Sequence, residues 1–526
     1  MNNNKKSGYQ SHLDELGIEF DLSDIGNADR FQSHFKKDFK FVPEENQWII
    51  WDGKHWTHKN ASSAVFNLAE EAMKRIYNEA RDCKNKQGQF LLTSHARRSQ
   101  NKAKIDPMIG LLKHRYSISI KDFDNDHELI NCRNGVLNLR TGELIAHSSE
   151  QLFLKITNAD YEPQARCPQW ESFISGIFLG DNELIRYVQK ALGYALTGHT
   201  KEHKLFLMYG LGSNGKTTLI ETVLSLLGDY GRTSEFSNFL DTDKSDVRSK
   251  EAIGRLKGIR FATASETGST KKWNEALLKK VSGGDQLTGA GLHKSSFDFD
   301  PTHKLFFQAN HLPGVKDASH GFWRRMVVIP FRKRFEGSAK IVGLKERLLA
   351  EEREGIFAWL CEGARAYLTH GLGEMPQACS EATESYKSEM DIIGRFIAEC
   401  LEDAPGTNTP FRDVYNEYEK WCQPRKEEPT PSRFFSDAMA ERGIYNRYTN
   451  KGVVFLNKRL RPIYHQFGGV AIEAPFPSAV EDKAKPDLRD FLNENDTEKS
   501  SKERYNPEKE YFKEWELLQG IKKRRA

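Results

Sequence analysis

A chain of 526 residues is too long for one ordinary core and reads as about two to four domains. Its formal charge of only +4, from 78 Lys and Arg against 74 Asp and Glu, excludes a polycation of the histone kind, so any nucleic-acid surface has to be a local patch. Seven scattered cysteines with no CxxC pair exclude a disulfide scaffold or a zinc module and fit a reducing cytoplasm; no leading apolar run and no stretch of about 18 apolar residues point to a signal peptide or a membrane span.

In chain order, residues 1–38 are polar and mixed and read as a flexible lead-in. Residues 39–165 read as an α+β domain. In it "QWIIWDGKHWTH" is a hairpin turned at Asp52-Gly53, and Trp48, Trp51 and Trp56 either pack a small sheet or stack bases. "ASSAVFNLAEEAMKRIYNEARD" has helical spacing, and the basic "SHARRSQNKAKID" reads as a solvated loop or a phosphate contact. Asp122, Asp124 and Asp126 alternate, as an acidic loop beside a strand or as a polymerase-like metal pair. "LINCRNGVLNLRTGEL" gives short strands around Asn134-Gly135 and Thr141-Gly142.

Residues 166–335 open with a helix pair, "ESFISGIFLG" and "ELIRYVQKALGYALTG", ahead of a strand, "KLFLMY". "GLGSNGKT" then fits GxxxxGK[ST] from Gly210 to Thr217, and "TTLIETVLSLLG" continues as a helix stopped by Gly228. Glycines in such a loop turn backbone N–H groups toward a phosphate, and the helix N-terminus adds its dipole. The nucleotide-binding set expected here is Gly210, Gly212, Ser213, Asn214, Gly215, Lys216, Thr217 and Thr218. Lys216 would reach the β- and γ-phosphates, and Thr217 would help hold Mg²⁺.

"GIRFATASET" supplies a second strand ending at Glu266, an acid placed beside the loop, near Mg²⁺ and the attacking water. "HKLFFQAN" is a third strand ending at Asn310, whose amide would orient that water. "GFWRRMVVIPF" carries Arg324 and Arg325 before a fourth apolar run; they are surface charge, or one is an arginine finger for a neighbouring subunit. Between the second and third strands, "GGDQLTGAGLHKSSFDF" reads as a hairpin with His293 and Lys294 near its tip. A lysine there either faces solvent or, in a ring, contacts backbone phosphates without reading sequence.

Residues 336–390 read as a helical connector, and the chain as mainly helical to about Cys422. Within 391–465 a helix over "SRFFSDAMAERG" and a hairpin turned at Asn450-Lys451-Gly452 have the order of a winged helix. Residues 466–526 are highly charged and apolar-poor, a flexible tail with one helix near "EKEYFKEWELLQG".

The succession "GLGSNGKTT", "RFATASET", "KKVSGGDQLTGAGLHKSSFDFDPTHKLFFQANHLP" and "GFWRRMVVIPF" resembles the superfamily 3 helicases, and within them the phage and plasmid primase-helicase group that includes the poxvirus primase-helicase. The likeness covers roughly residues 40 to 465. It implies an AAA+-type P-loop ATPase core of α/β class between an α+β N-terminal domain and a C-terminal winged helix. It also implies a hexameric ring that uses ATP and Mg²⁺ to translocate on single-stranded DNA and open forked DNA. By position, Lys216 and Thr217 become the Walker A pair, Glu266 the Walker B acid and Asn310 the sensor. Arg325, or Arg324, becomes the finger, and Lys294 with His293 the DNA-contacting hairpin.

The chain departs from the pattern in two places. Ala290 stands where the family usually has an arginine, and too few residues precede the N-terminal domain to hold a primase. The implied setting is a bacterial or phage-infected cytoplasm, with replication proteins or a separate primase as partners. An origin-binding ATPase that does not unwind, and a primase-helicase with cryptic priming, stand as the alternatives.

Overall fold

The computed structural model describes residues 8–35, 39–241, 246–266, 272–291, 296–315, 320–336, 341–425, 427–450, 452–461, 465–467 and 470–472. The chain divides into two compact units, Met1–Arg459 and Leu460–Ala526. In the second, the described residues include an antiparallel pair, His465–Phe467 against Val470–Ile472. The helix expected near "EKEYFKEWELLQG" lies outside the described residues.

The first unit opens with α1 (Gly8–Glu15) and α2 (Asp24–His34), where a flexible lead-in was expected. Leu13, Leu16, Ile18, Ala28 and Phe31 there are buried in the same core as Val65, Met73 and Ile76. Ser23 caps α2 by accepting from the Gly26 N–H at 3.2 Å, and the buried Arg30 pairs with Glu79 at 2.9 Å. A small sheet follows, β1 (Phe39–Val42), β2 (Gln47–Trp51) and β3 (Trp56–Thr57). Trp48 and Trp56 are buried in it, and the Trp56 indole donates to the Ser149 carbonyl, so these rings pack the sheet and are closed to bases.

Next come α3 (Ala61–Asp82), α4 (Lys86–Ser99) and α5 (Lys102–Arg115). The basic segment, read as a solvated loop or a phosphate contact, is thus the end of one helix and the start of the next. Asn101 accepts from the Ala103 N–H to start α5, and Arg97 and Arg98 close α4 at its negative end. A second small sheet holds β4 (Leu129–Cys132), β5 (Gly135–Asn138) and β6 (Leu144–Ile145). The alternating acids before it do not converge. Asp124 accepts from the Leu154 N–H and Asp126 from the Glu128 N–H, and the described residues hold no cluster of three or more potential metal ligands.

Helices α6 (Pro168–Ile177) and α7 (Asn182–Tyr194) lead into the central sheet. In chain order the rest of this region is β7 (Leu205–Tyr209), α8 (Lys216–Leu227), β8 (Gly231–Thr233), α9 (Asp246–Gly254), β9 (Phe261–Ser265), α10 (Glu275–Val281), β10 (Leu287–Ala290), β11 (Ser296–Phe299), β12 (Lys304–Ala309), α11 (His320–Trp323) and β13 (Met326–Pro330). Five strands form one parallel sheet in the order β13–β7–β12–β9–β8. Both faces are covered, which is why these strands read as unbroken apolar runs. Phe206, Met208, Phe306 and Val327 enter one core, while Leu205, Leu207, Leu305 and Phe307 enter the other.

β10 and β11 stand off the sheet as an antiparallel hairpin, Leu287 opposite Phe299 and Ala290 opposite Ser296. The last residues of β10, next to the turn, meet the end of α9 backbone to backbone. A Cβ on Gly289 would lie 2.4 Å from the Gly254 Cα, and one on Gly254 would lie 2.4 Å from the Ala290 carbonyl oxygen.

Two buried cations fasten the leading ends of the inner strands. Arg260, just before β9, donates to the carbonyls of Leu129 at 2.8 Å, Leu196 at 2.6 Å and Asp126 at 3.1 Å, and lies over the Tyr230 ring. Lys304, opening β12, donates to the carbonyls of Thr197, His199 and Thr302.

The remaining helices are α12 (Leu344–Glu351), α13 (Arg353–His370), α14 (Gln377–Met390), α15 (Ile392–Cys400), α16 (Phe411–Cys422) and α17 (Ser432–Glu441). A strand, β14 (Leu401–Pro410), interrupts the stretch expected to be helical as far as Cys422; its Pro, Gly, Asn and Thr content hid it. With β15 (Asn446–Thr449) and β16 (Gly452–Leu460) it makes a three-stranded sheet in the order β14–β16–β15. Ser432 is the first residue of α17, with Pro431 at its N-cap. All seven cysteines are buried and free, and among the described residues no helix is long and apolar enough to cross a membrane.

Candidate nucleotide site

The glycine-rich loop bridges β7 and α8 at the C-terminal rim of the sheet. Its backbone is left-handed at Gly212 (φ +93°), Ser213 (φ +49°) and Gly215 (φ +88°), which rolls the strand directly into the helix. Gly210 has no room for a side chain: a Cβ would meet the Asn214 amide nitrogen at 2.2 Å and the Phe331 carbonyl oxygen at 2.6 Å. The Asn214 Nδ2 is itself buried without a partner among the described residues.

Lys216, 5% exposed, starts α8 and turns back into the loop. Its Nζ donates to the Gly210 carbonyl at 2.5 Å and to Asn310 Oδ1 at 3.0 Å. Burial lowers this ammonium from its ordinary value to about 8, against the pull of nearby Glu266.

Strand order decides what faces the loop. β12 lies between β7 and β9, so Asn310 follows the neighbouring strand and Glu266 the strand beyond, rather than standing directly beside β7. The two remain joined: Glu266 Oε2 accepts from the backbone N–H groups of Asn310 at 2.7 Å and His311 at 2.8 Å. Its other oxygen, Oε1, is buried and has no partner among the described residues. Lys216, Asn310 and Glu266, far apart in sequence, therefore form one connected group.

Gln308 was not singled out from the sequence. Buried near the end of β12, it donates from Nε2 to Ser265 Oγ at 2.9 Å and accepts the Thr217 hydroxyl at 3.4 Å. It ties the start of α8 to the end of β9. The sequence signal was its place two residues before Asn310, on the same side of the strand. A second missed feature is the exposed triplet Arg332, Lys333 and Arg334, which follows β13 and lines a cavity of about 590 Å³ against the outer side of the loop.

Arg324 and Arg325 stand elsewhere. They precede β13, whose residues pair Met326 with Leu205 and Pro330 with Tyr209, so they sit at the opposite rim, about 17 Å along the strands from the loop. Arg324 is exposed. Arg325 donates from Nη1 to the Gly321 carbonyl at 2.7 Å, its Nε is buried without a partner among the described residues, and burial, then Arg324, lowers its pKa. The hairpin base shares this rim: the Ser282 carbonyl, two residues before the Gly284-Asp285 turn, contacts the His203 ring at 3.1 Å just ahead of β7. His293 and Lys294 lie outside the described residues.

Residues 28–179 match the family model described as "D5 N terminal like", and residues 208–325 match one described as a "family of unknown function (DUF5906)". The chain is 24% identical over 409 residues to a putative helicase of Acanthamoeba polyphaga mimivirus, covering 72% of this chain and 42% of the relative. It is 24% identical over 327 residues to a putative primase of African swine fever virus, covering 57% of this chain and 34% of the relative. The chain thus spans less than half the length of these curated relatives. Among solved structures, the C-terminal region (305–718) of NrS-1 superposes at a TM-score of 0.46 and 10% identity, over 83% of this chain and 99% of that one. By sequence, then, this protein resembles viral proteins named as putative helicases and primases, and its two family-model matches lie on either side of α7.

Proposed function

We propose that this protein is an ATP-driven DNA helicase of the superfamily 3 type that works as a ring of identical copies, hexameric by the resemblance. The observation that carries the reading is the connected group Lys216–Asn310–Glu266 around a left-handed glycine-rich loop. A buried lysine turned into a left-handed glycine-rich loop suits a triphosphate. An unpaired buried carboxylate oxygen suits an attacking water, which Glu266 Oε1 would orient and deprotonate while Asn310 holds the lysine in line. Thr217 and Glu266 would hold Mg²⁺, which neutralises charge on the phosphoryl oxygens when bound.

The arginines on the far rim cannot serve this loop within one copy, but they suit the loop of a neighbour. Arg325 is the proposed finger and Arg324 its alternative. On the same rim, the hairpin bearing His293 and Lys294 is the proposed DNA contact, and the segment 391–465 a winged helix that engages duplex DNA or a partner. Hydrolysis at one interface would then move that copy's hairpin along a strand.

The test is strand separation of a forked duplex with ATP, by the full chain and by Lys216→Ala. The expected result is unwinding by the first and none by the second, with turnover reduced by about 10²-fold or more. Turnover without strand separation in the unaltered chain would assign it instead to a non-unwinding initiator.

A further inference from the structure

We propose that the outward face of α4, with the adjoining end of α3, is a separate contact for single-stranded DNA that stacks bases, pairs with phosphates and needs no nucleotide. It uses none of the residues of the glycine-rich loop or of the β10–β11 hairpin, and it stands or falls without them.

The two faces of α4 differ sharply. Gly88, Leu92, His95, Ala96 and Ser99 are buried. Lys86, Phe90, Thr93 and Arg97 follow one another at helical spacing on the opposite side, and all four are exposed. Phe90 is 73% exposed. A single open ring is ordinary on a surface, but this one has company. Only residues 83–85 join α3 to α4, so the two helices fold back on each other as a hairpin. Tyr77 stands about 8 Å before the end of α3 and Phe90 about 6 Å after the start of α4, which sets the rings at similar height. Tyr77 is also open to solvent and turned away from α2: Arg75 and Glu79, on either side of it, are the residues that reach Phe35 and Arg30 there.

The charge around the rings has one sign. From Lys84 to Lys104 the chain carries six basic side chains and no acidic one, although its total charge is nearly balanced. Lys104 pairs with Asp24 at 3.7 Å, whereas Lys84, Lys86, Arg97 and Lys102 have no acidic partner among the described residues. On α3, Lys74 shares the exposed face of Tyr77. Cations at both ends of a face with rings between them match a strand whose phosphates and bases are both open. A duplex would satisfy the cations and keep its bases stacked away from the rings, and an acidic protein would leave the rings without a planar partner. The run from Lys86 to Arg97 is about 16 Å long, room for about five stacked nucleotides.

The experiment is binding of a fluorescent thymidine oligonucleotide, and of a blunt duplex, to the full chain without nucleotide. It is run in the unaltered chain and in a Lys294→Ala background, which weakens the contact proposed for the β10–β11 hairpin. In both, Phe90→Ala is expected to weaken the single strand by about fivefold or more. Lys86→Ala combined with Arg97→Ala should flatten the slope of log affinity against log salt by about 1.4. These side chains are exposed, so thermal unfolding should not move. A bromouracil-substituted strand should photocrosslink to the tryptic peptide Gln87–Arg97. No binding of the single strand, tighter binding of the duplex, or single-strand affinity unmoved by Phe90→Ala and by the double variant overturns the assignment and leaves the helicase reading standing. A shift in oligomeric state with Phe90→Ala at unchanged DNA affinity overturns it too, and makes the face a contact between copies.

Discussion

Lys216 shows how one buried charge makes the site sensitive to pH. Its folded value of about 8 lies below the ordinary 10.5, so burial disfavours the charged form. The sign follows: in the free protein the penalty is fully present below about pH 8 and is relieved as pH rises toward 10.5, so stability rises across that window. Triphosphate binding runs the other way, because phosphate oxygens favour the ammonium. Affinity for ATP should therefore fall by up to about tenfold per pH unit above pH 8, with proton uptake seen by calorimetry in buffers of different ionisation heat. An affinity flat from about pH 7 to pH 9.5 would remove Lys216 from the phosphate site. The loop residues were legible in the sequence because their spacing is local. Gln308 was not, because its bonds to Thr217 and Ser265 exist only once β12 is inserted between β7 and β9.

At the scale of elements, the apolar runs of β7, β9, β12 and β13 were readable because a doubly covered parallel strand leaves little room for polar residues. Their lateral order was not, since pairing depends on crossovers that a single sequence does not print. The opening helices and β14 were missed for the opposite reason: few apolar residues carry them, and Pro405, Gly406 and Pro410 read as a loop. The sheet's polarity leads to the clearest test of assembly. If Arg325 completes a neighbour's site, Arg325→Ala should lower turnover by about 10³-fold or more, and mixing it with unaltered chain should depress activity below the unaltered fraction. Activity strictly proportional to that fraction would make Arg325 a private residue of its own copy.

Across the first unit as a whole, the strands of the site are anchored to distant backbone. Arg260 satisfies three carbonyls, two of them in the region matched as "D5 N terminal like", from a position six residues before Glu266. Arg260→Met would leave the buried Leu196 oxygen unpaired and take the donor from two part-buried oxygens, so a loss of about 1–3 kcal/mol is expected. It would be read as a lowered first unfolding transition, with Arg260→Lys falling between. An unmoved transition would mean that the N-terminal region and the sheet are held together by packing alone. No local pattern in the sequence announced this clamp, because its partners are main-chain oxygens and carry no residue identity.

The contact of Gly254 with Gly289 leaves the hairpin without a cushion. Where side chains separate two elements, a shove is absorbed by rotamers; where two backbones touch, it is handed on. Any load borne by the hairpin passes directly to α9 as a shift of the whole helix, and a single methyl group added at either glycine would jam it.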